Sequence, residues 1–397
     1  MLKDKKIIIG VTGGIAAYKI ASLVSRLRQD GADVHVVMTE NACKFITPLT
    51  FETLSGNQCV VDTFQDGDPA KVRHVELAKH ADLVMVAPAT ANFIAKTAAG
   101  IADDMLTTTF IACDCPKYVV PAMNTKMYEN PITQSNVTRL KKYGIQVIES
   151  DSGYLACGDT GSGRMPESDI LFDYIERHVS RQKDMAGKRV LVTAGACREA
   201  LDPVRFLSNR STGKMGFAMA KECMLRGADV ILVKAYTQTD PPPFCRIVEA
   251  ESAADMFREV TGRAEHADMI IMAAAVSDFA PVHRAAQKIK KTDNGITLEM
   301  KRTLDILGWT GEHRVDDQYI IGFSMETENL LENSKKKLET KNVDMIIANS
   351  IVDEGTGFGV NTNLVTLITN DYVRQCELMS KADVAKTAID TVLGVKS

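Results

Sequence analysis

Short runs rich in Val and Ile alternate with longer stretches of helical spacing along the whole chain, the pattern of parallel strands buried on both faces by crossover helices. In the first half the strand-like runs lie at 5–12 (KKIIIGVT), 33–39, 82–90 and 117–123. The pattern then starts again with KRVLVTAG at 188–195, followed by runs at 229–235, 268–275, 318–324 and 344–350. This predicts an α/β chain of two doubly wound, Rossmann-like domains. The halves share phrases: GADVHVV at 31 answers GADVILV at 227, and HADLVMVAPAT at 80 answers HADMIIMAAAV at 266. Duplication and independent use of one strand grammar both explain that, and both give two sheets. A charged, helix-like stretch from Ile170 to Lys183 leads into MAGK, where Gly187 ends the helix and a new strand begins. The expected domains are therefore 1–184 and 185–397.

Composition narrows the class of protein. A chain of 397 residues exceeds one ordinary core, and 45% hydrophobic with 25% charged residues is a globular balance. Net charge is only −4, with both signs mixed along the chain, so neither a nucleic-acid partner nor a membrane surface is expected, and small molecules are. The N-terminal apolar run Ile7–Ile9 is cut by Gly10, too short for a signal-peptide core, and a cytoplasmic protein is expected. Nine cysteines are spread singly without C-x-x-C spacing and read as reduced thiols, so a reactive one must be identified by its neighbourhood.

In the first half, TGGIAAYK at 12–19 makes a glycine turn into a helix. Its N–H groups suit a mononucleotide phosphate, or the turn carries no ligand. It lacks the G-x-G-x-x-G spacing of a dinucleotide site. APATAN at 87–92 forms a small polar turn that either approaches a planar ring or simply caps a helix through Thr90 or Asn92. PAMN at 121–124 sets Asn124 directly after a strand, and YLACGDTGSGRMPE at 154–167 places Cys157 in a glycine-rich run. That run reads as a flexible lid, where a cysteine is reactive rather than packed.

Together GGIAAYK, His74, APATAN, PAMN and LACGDTGSGRM closely resemble the homo-oligomeric flavin-containing cysteine decarboxylases, specifically phosphopantothenoylcysteine decarboxylase. The resemblance implies a flavodoxin-like first domain holding FMN through Gly13, Gly14, Ile15, Thr39, Pro88, Ala89, Thr90, Ala91 and Asn92. It further implies that His74 assists proton movement, Asn124 grips the substrate carboxylate and Cys157 protonates the enethiol left after CO2 departs. Flavin oxidation beside sulfur creates the electron sink that the decarboxylation needs. Tyr128 stands where the family usually has Trp.

In the second half the link between first and second strands carries an insertion, REALDPVRFLSNRSTGKMG at 198–216, at the end of the sheet where α/β proteins bind ligands. Arg205, Arg210 and Lys214 give it a phosphate-handling composition, although a solvated basic loop has the same one, and no Walker motif aligns there. AAVSDF at 274–279 ends a strand with Asp278, and KIKK at 288–291 follows, a pairing that suits a triphosphate with Mg2+, although a solvated lysine face has the same composition. With TLDILG at 303–308, GFSMET at 322–327 and DMIIANS at 344–350, these segments closely resemble phosphopantothenate-cysteine ligase.

The resemblance implies a ligase-type Rossmann-like domain that activates the carboxylate of 4'-phosphopantothenate with CTP as an acyl-cytidylate, which L-cysteine then converts. Lys288 would serve the first step and Asn209 the second, with Arg205 shaping the loop. Ala273, Ala274, Asp278, Lys288, Asp305, Ile306, Leu307, Gly308, Phe323, Lys337 and Lys341 would meet CTP. The Mg2+ ligands are left open. Leu304 replaces a common Pro, and Asn361 a common Asp. The family implies a homo-oligomer, a dodecamer of trimeric decarboxylase and dimeric ligase units. Two rivals stand beside this reading. A nicotinamide dehydrogenase would need a dinucleotide fingerprint that neither first turn supplies, and a non-catalytic FMN-binding regulatory flavoprotein should lack His74 or Cys157.

Overall fold

The computed structural model describes residues 2–64, 72–154, 160–290, 296–326, 328–350, 357 and 359–394. The chain divides into two compact units, Met1–Arg181 and Gln182–Ser397.

In the first unit β1 (Lys6–Val11), β2 (Asp33–Met38), β3 (Leu83–Ala89), β4 (Lys117–Pro121) and β5 (Gln146–Val147) form one parallel sheet in the order β2-β1-β3-β4-β5. This is the flavodoxin-like order, with a topological switch between β1 and β3. Every residue of β3 is buried, which explains why the sequence shows a continuous apolar run there instead of alternation. The run read as a flexible lid is otherwise in its described part. β6 (Asp151–Tyr154) and β7 (Thr160–Arg164) pair as an antiparallel ribbon, and Gly163 O accepts from Met123 N at 3.0 Å. Glycines let two backbones approach closely as readily as they let a loop move.

The second unit holds a sheet ordered β12-β11-β8-β13-β16-β17-β19-β20. Its strands are β8 (Arg189–Ala194), β11 (Asp229–Lys234), β12 (Arg246–Glu249), β13 (Met269–Met272), β16 (Tyr319–Glu326), β17 (Met345–Ser350), β19 (Val365–Thr369) and β20 (Val373–Gln375). The pairing is parallel as far as β17, but β19 and β20 join antiparallel, unlike the wholly parallel expectation. Only residues 370–372 join β19 to β20, too few for a crossover helix. The 198–216 insertion builds its own antiparallel ribbon from β9 (Arg198–Ala200) and β10 (Phe206–Ser208). A second ribbon pairs β14 (Phe279–Pro281) with β15 (Met300–Arg302), and β18 (Thr362–Asn363) pairs with β21 (Met379–Ser380).

The repeated phrases have a structural cause. Asp82 and Asp268, the acidic residues of the two HAD phrases, accept the backbone N–H of Lys6 and Arg189 at 2.8 and 2.7 Å, stitching β3 to β1 and β13 to β8. Asp344 accepts from Ile320 N at 2.7 Å and does the same for β17 and β16. Each carboxylate satisfies a donor at a strand start and fixes the register of neighbouring strands. Among the described residues no helix is long and apolar enough to cross a membrane.

Candidate active sites

At the carboxyl ends of β1, β3 and β4 a cavity of about 740 Å3 opens. Gly13, Gly14, Ile15, Thr90, Ala91 and Asn124, which the resemblance assigns to FMN or substrate, line it. Thr39, Pro88, Ala89 and Asn92 are not on its wall. Ala89 is buried within β3, and Thr39 N donates to Val11 O at 3.0 Å. The turns after β1 and β3 are held together by Thr12, a residue the sequence reading passed over. Its buried hydroxyl donates to Pro88 O at 2.7 Å and accepts from Thr90 N at 3.0 Å. The available signal was its place, a polar residue closing an apolar strand. Thr90 in turn caps the helix Ala91–Ala99 by accepting from Phe93 N at 3.4 Å, so this turn is both a helix cap and a cavity wall.

The two glycines do different things. A Cβ on Gly13 would stand 2.6 Å from Asn41 Cβ, so the turn packs flush against the turn that follows β2. A Cβ on Gly14 would meet only Pro88 Cγ, at 3.8 Å, and would project beside the cavity space that this residue lines. The volume falls within the roughly 300–1,000 Å3 of a small-molecule site. Ile15, Met123, Met127 and Met165 give an apolar wall, while Lys19 and Arg164 add cationic groups that both bond Glu167, at 2.7 and 2.6 Å. The Lys19 hydrogen bond holds the Glu167 carboxyl below its ordinary value. Backbone without side chains at the turn, an apolar slot and nearby cations fit FMN.

The catalytic residues expected in this half are only partly assembled. Asn124 lies on the wall between β4 and the helix Thr125–Glu129, its carboxamide oxygen accepting from Lys126 N at 2.9 Å. His74, at the start of the helix Arg73–His80, is not on this wall, and its Nδ1 is buried without a hydrogen-bond partner among the described residues. Cys157 lies outside the described residues. Tyr128 sits on the helix after Asn124 and off the cavity wall.

In the second unit a cavity of about 510 Å3 lies beyond the carboxyl ends of β13 and β16. Ala274, Asp278, Asp305, Ile306, Leu307, Phe323, Lys337 and Lys341 line it. Ala273 and Gly308 do not; Gly308 N instead donates to Asp305 Oδ1 at 2.9 Å, making Asp305 the cap of the helix Ile306–Glu312. Asp278 does not end a strand as expected. β13 stops at Met272, and Asp278 stands just before the β14–β15 ribbon, where its carbonyl accepts from Thr303 N at 3.0 Å. The ribbon was hidden because its strands are short and carry Pro281 and charged Lys301 and Arg302.

Cations dominate the inner wall. Lys341 forms an ion pair with Asp305. Burial pulls the Asp305 carboxyl upward, but the Lys341 hydrogen bond and the Gly308 N–H outweigh it and leave Asp305 below its ordinary value. Lys337 donates to Phe323 O at 2.9 Å, and burial, with Lys341 nearby, pushes its ammonium below 10.5. A polyanion entering here would find charge that the protein has desolvated and left incompletely compensated. Leu304 is on the wall. Among the described residues no group of three or more His, Cys, Asp or Glu could hold a metal.

Two of the insertion's three cations are engaged within the protein. Arg205 is paired with Asp202 at 2.8 Å, and Lys214 donates to Gly359 O at 2.6 Å and Asn361 Oδ1 at 2.8 Å. Asn361 thus serves Lys214 directly. Arg210 is exposed and has no ion pair among the described residues. Asn209 donates through Nδ2 to Ala275 O at 3.2 Å, next to the cavity residue Ala274. Lys288 is exposed and off the cavity wall.

A flavodoxin-like sheet with a mononucleotide-sized cavity at its switch point, followed by a second sheet with a cavity that Lys337 and Lys341 line, defines a two-unit α/β protein with one ligand-sized cavity in each unit. Residues 1–180 match the family model described as Flavoprotein, and residues 185–395 match the DNA/pantothenate metabolism flavoprotein C-terminal domain. The chain is 44% identical over 389 residues to the coenzyme A biosynthesis bifunctional protein CoaBC of Bacillus subtilis (strain 168), covering 97% of this chain and 96% of that one. It is 42% identical over 393 residues to the protein of that name from Vibrio cholerae serotype O1, covering 98% of each. A crystal structure of the C-terminal domain of a CoaBC protein is 38% identical, with a TM-score of 0.45, over 52% of this chain and 95% of that one. The chain belongs to the family of coenzyme A biosynthesis bifunctional proteins.

Proposed function

We propose that the C-terminal unit condenses 4'-phosphopantothenate with L-cysteine at the expense of CTP, and that the N-terminal unit decarboxylates the resulting phosphopantothenoylcysteine to 4'-phosphopantetheine with FMN. The observation that carries this is the alignment of 97% of one chain with a bifunctional coenzyme A protein, with a separate cavity in each half.

In the ligase reaction the phosphopantothenate carboxylate attacks the α-phosphorus of CTP, pyrophosphate leaves, and the cysteine amine then displaces CMP from the acyl carbon. Lys337 and Lys341 hold the triphosphate, exchanging their protein partners for phosphate oxygens. Asp278 is the cavity carboxylate suited to Mg2+ carried in with the nucleotide. Lys288 stabilises charge in forming the acyl-cytidylate, and Asn209, steadied by Ala275, serves the attack by cysteine.

In the decarboxylase reaction Gly13, Gly14, Thr90 and Ala91 hold FMN, which when bound supplies reversible hydride chemistry beside the substrate sulfur. Asn124 orients the departing carboxylate, His74 moves the proton of the oxidative half and Cys157 donates one to the enethiol. Since His74 stands off this cavity in one chain, the proposed trimer of decarboxylase units, joined by ligase dimers into a cytoplasmic dodecamer, is the assembly in which its role must be judged.

The test incubates the protein with 4'-phosphopantothenate, L-cysteine and either CTP or ATP. The expected products with CTP are pyrophosphate, CMP, CO2 and 4'-phosphopantetheine. Pyrophosphate without CO2 would overturn the decarboxylase assignment, and equal turnover with ATP would overturn the CTP assignment.

A further inference from the structure

The inserted loop and the segment bearing Lys288 are far apart in sequence but share one buried carboxylate. Asp202, 2% exposed, accepts through Oδ1 from Val204 N and Arg205 N, both at 2.8 Å. Through Oδ2 it accepts from Arg205 Nε at 3.0 Å and from Ile289 N at 3.1 Å. Arg205 closes the knot by donating from Nη2 to Ile289 O. Leu201 O accepts from Ala285 N at 2.9 Å, so Lys288 lies between two points at which its segment is tied to the loop. Lys288 is exposed and makes no ion pair among the described residues. Among the described residues, nothing on its own side chain fixes its place. Burial would raise the Asp202 carboxyl, yet the N–H groups of Val204, Ile289 and Arg205 bring it down to about 2, consistent with a charged acceptor at every working pH.

Resting on the ligase reading above, we infer that Asp202 is a positioning residue: its carboxylate ties the Lys288 segment to the loop that carries Arg205 and Asn209, and so holds the groups proposed for the two half-reactions in register. Among the described residues, none of those lining the nucleotide cavity bonds Asp202 directly. Asp202→Asn keeps the shape but puts an NH2 against donors where a carboxylate oxygen had been.

The experiment uses the full-length protein as wild type, D202N, K288Q and the double variant, with Arg205→Lys as a second, milder break of the same knot. Pyrophosphate release from CTP and 4'-phosphopantothenate is measured together with hydrogen exchange across residues 285–290. D202N should lower kcat about 10- to 100-fold, a misplacement-sized effect, with KM for CTP within about twofold. Exchange across the segment should speed up, R205K should shift both readouts in the same direction by less, and D202N should cost nothing more in the K288Q background. Unchanged exchange in D202N, or losses that multiply in the double variant, would overturn the inference and leave the ligase reading intact. A wild-type protein that releases no pyrophosphate would overturn the ligase reading and the inference with it.

Discussion

At the scale of single residues, Lys337 shows how burial sets up binding. Its ammonium is desolvated and faces Lys341, with partial compensation from Glu326, Asp305 and Asp278. Between its lowered folded pKa and 10.5 the unfolded chain holds the extra proton, so stability rises with pH across that window and the penalty is constant below it. Lys337→Met removes the titrating group. Melting temperatures followed from neutral pH into the lysine range should rise less steeply with pH for the variant, and at neutral pH the variant should melt no lower than wild type. CTP affinity, read by calorimetry, should fall roughly 10- to 100-fold, the worth of a hydrogen bond to a charged group. A variant that binds CTP normally would show that Lys337 is a satisfied core lysine and no ligand group. Much of the cavity wall in this unit was legible through the resemblance to the ligase family, whose nucleotide positions match Ala274, Asp278, Asp305, Ile306, Leu307, Phe323, Lys337 and Lys341 on that wall. Lys288 was legible as a residue but not in its place, since the Asp202 knot that fixes its segment joins residues 87 apart.

At the scale of elements, the strands were legible to within a few residues because buried parallel strands are continuous Val and Ile runs. Three strands of the second sheet were not. The edge strands β12 and β20 are short and largely exposed, while β19 is buried between β17 and β20, and neither a residue's propensity nor its spacing records the direction of its partner strand. The turn after β1 is the element on which the flavin reading depends, and its two glycines separate folding from binding. Gly14 has φ −145° and ψ 152°, extended backbone that any residue adopts, and a Cβ there has room. Gly14→Val should therefore fold and melt like flavin-stripped wild type but retain about tenfold less flavin, judged by visible absorbance of the purified protein. Gly13→Ala should destabilise the unit itself, because its Cβ would collide with Asn41 at 2.6 Å. If Gly14→Val keeps its full complement of flavin, the cofactor does not occupy this cavity.

At the scale of the whole molecule, each unit buries its own core. Ile7, Leu23, Val36 and Met85 pack together in the first, and Val192, Met219, Ile321 and Ala385 in the second. Units with separate cores, separate sheets and separate cavities need only a chain connection to be made together. Cutting the gene between the codons for Arg181 and Gln182 should then give two soluble fragments, each with its own cooperative melting transition. The N-terminal fragment should bind flavin and release CO2 from supplied phosphopantothenoylcysteine, and the C-terminal fragment should release pyrophosphate and CMP. Mixed, they should convert 4'-phosphopantothenate to 4'-phosphopantetheine after a lag while the intermediate accumulates in solution, since the ligase product is the decarboxylase substrate. Loss of both activities on cutting, with each fragment still folded, would mean that each site borrows groups from the other unit and that fusion supplies chemistry as well as proximity.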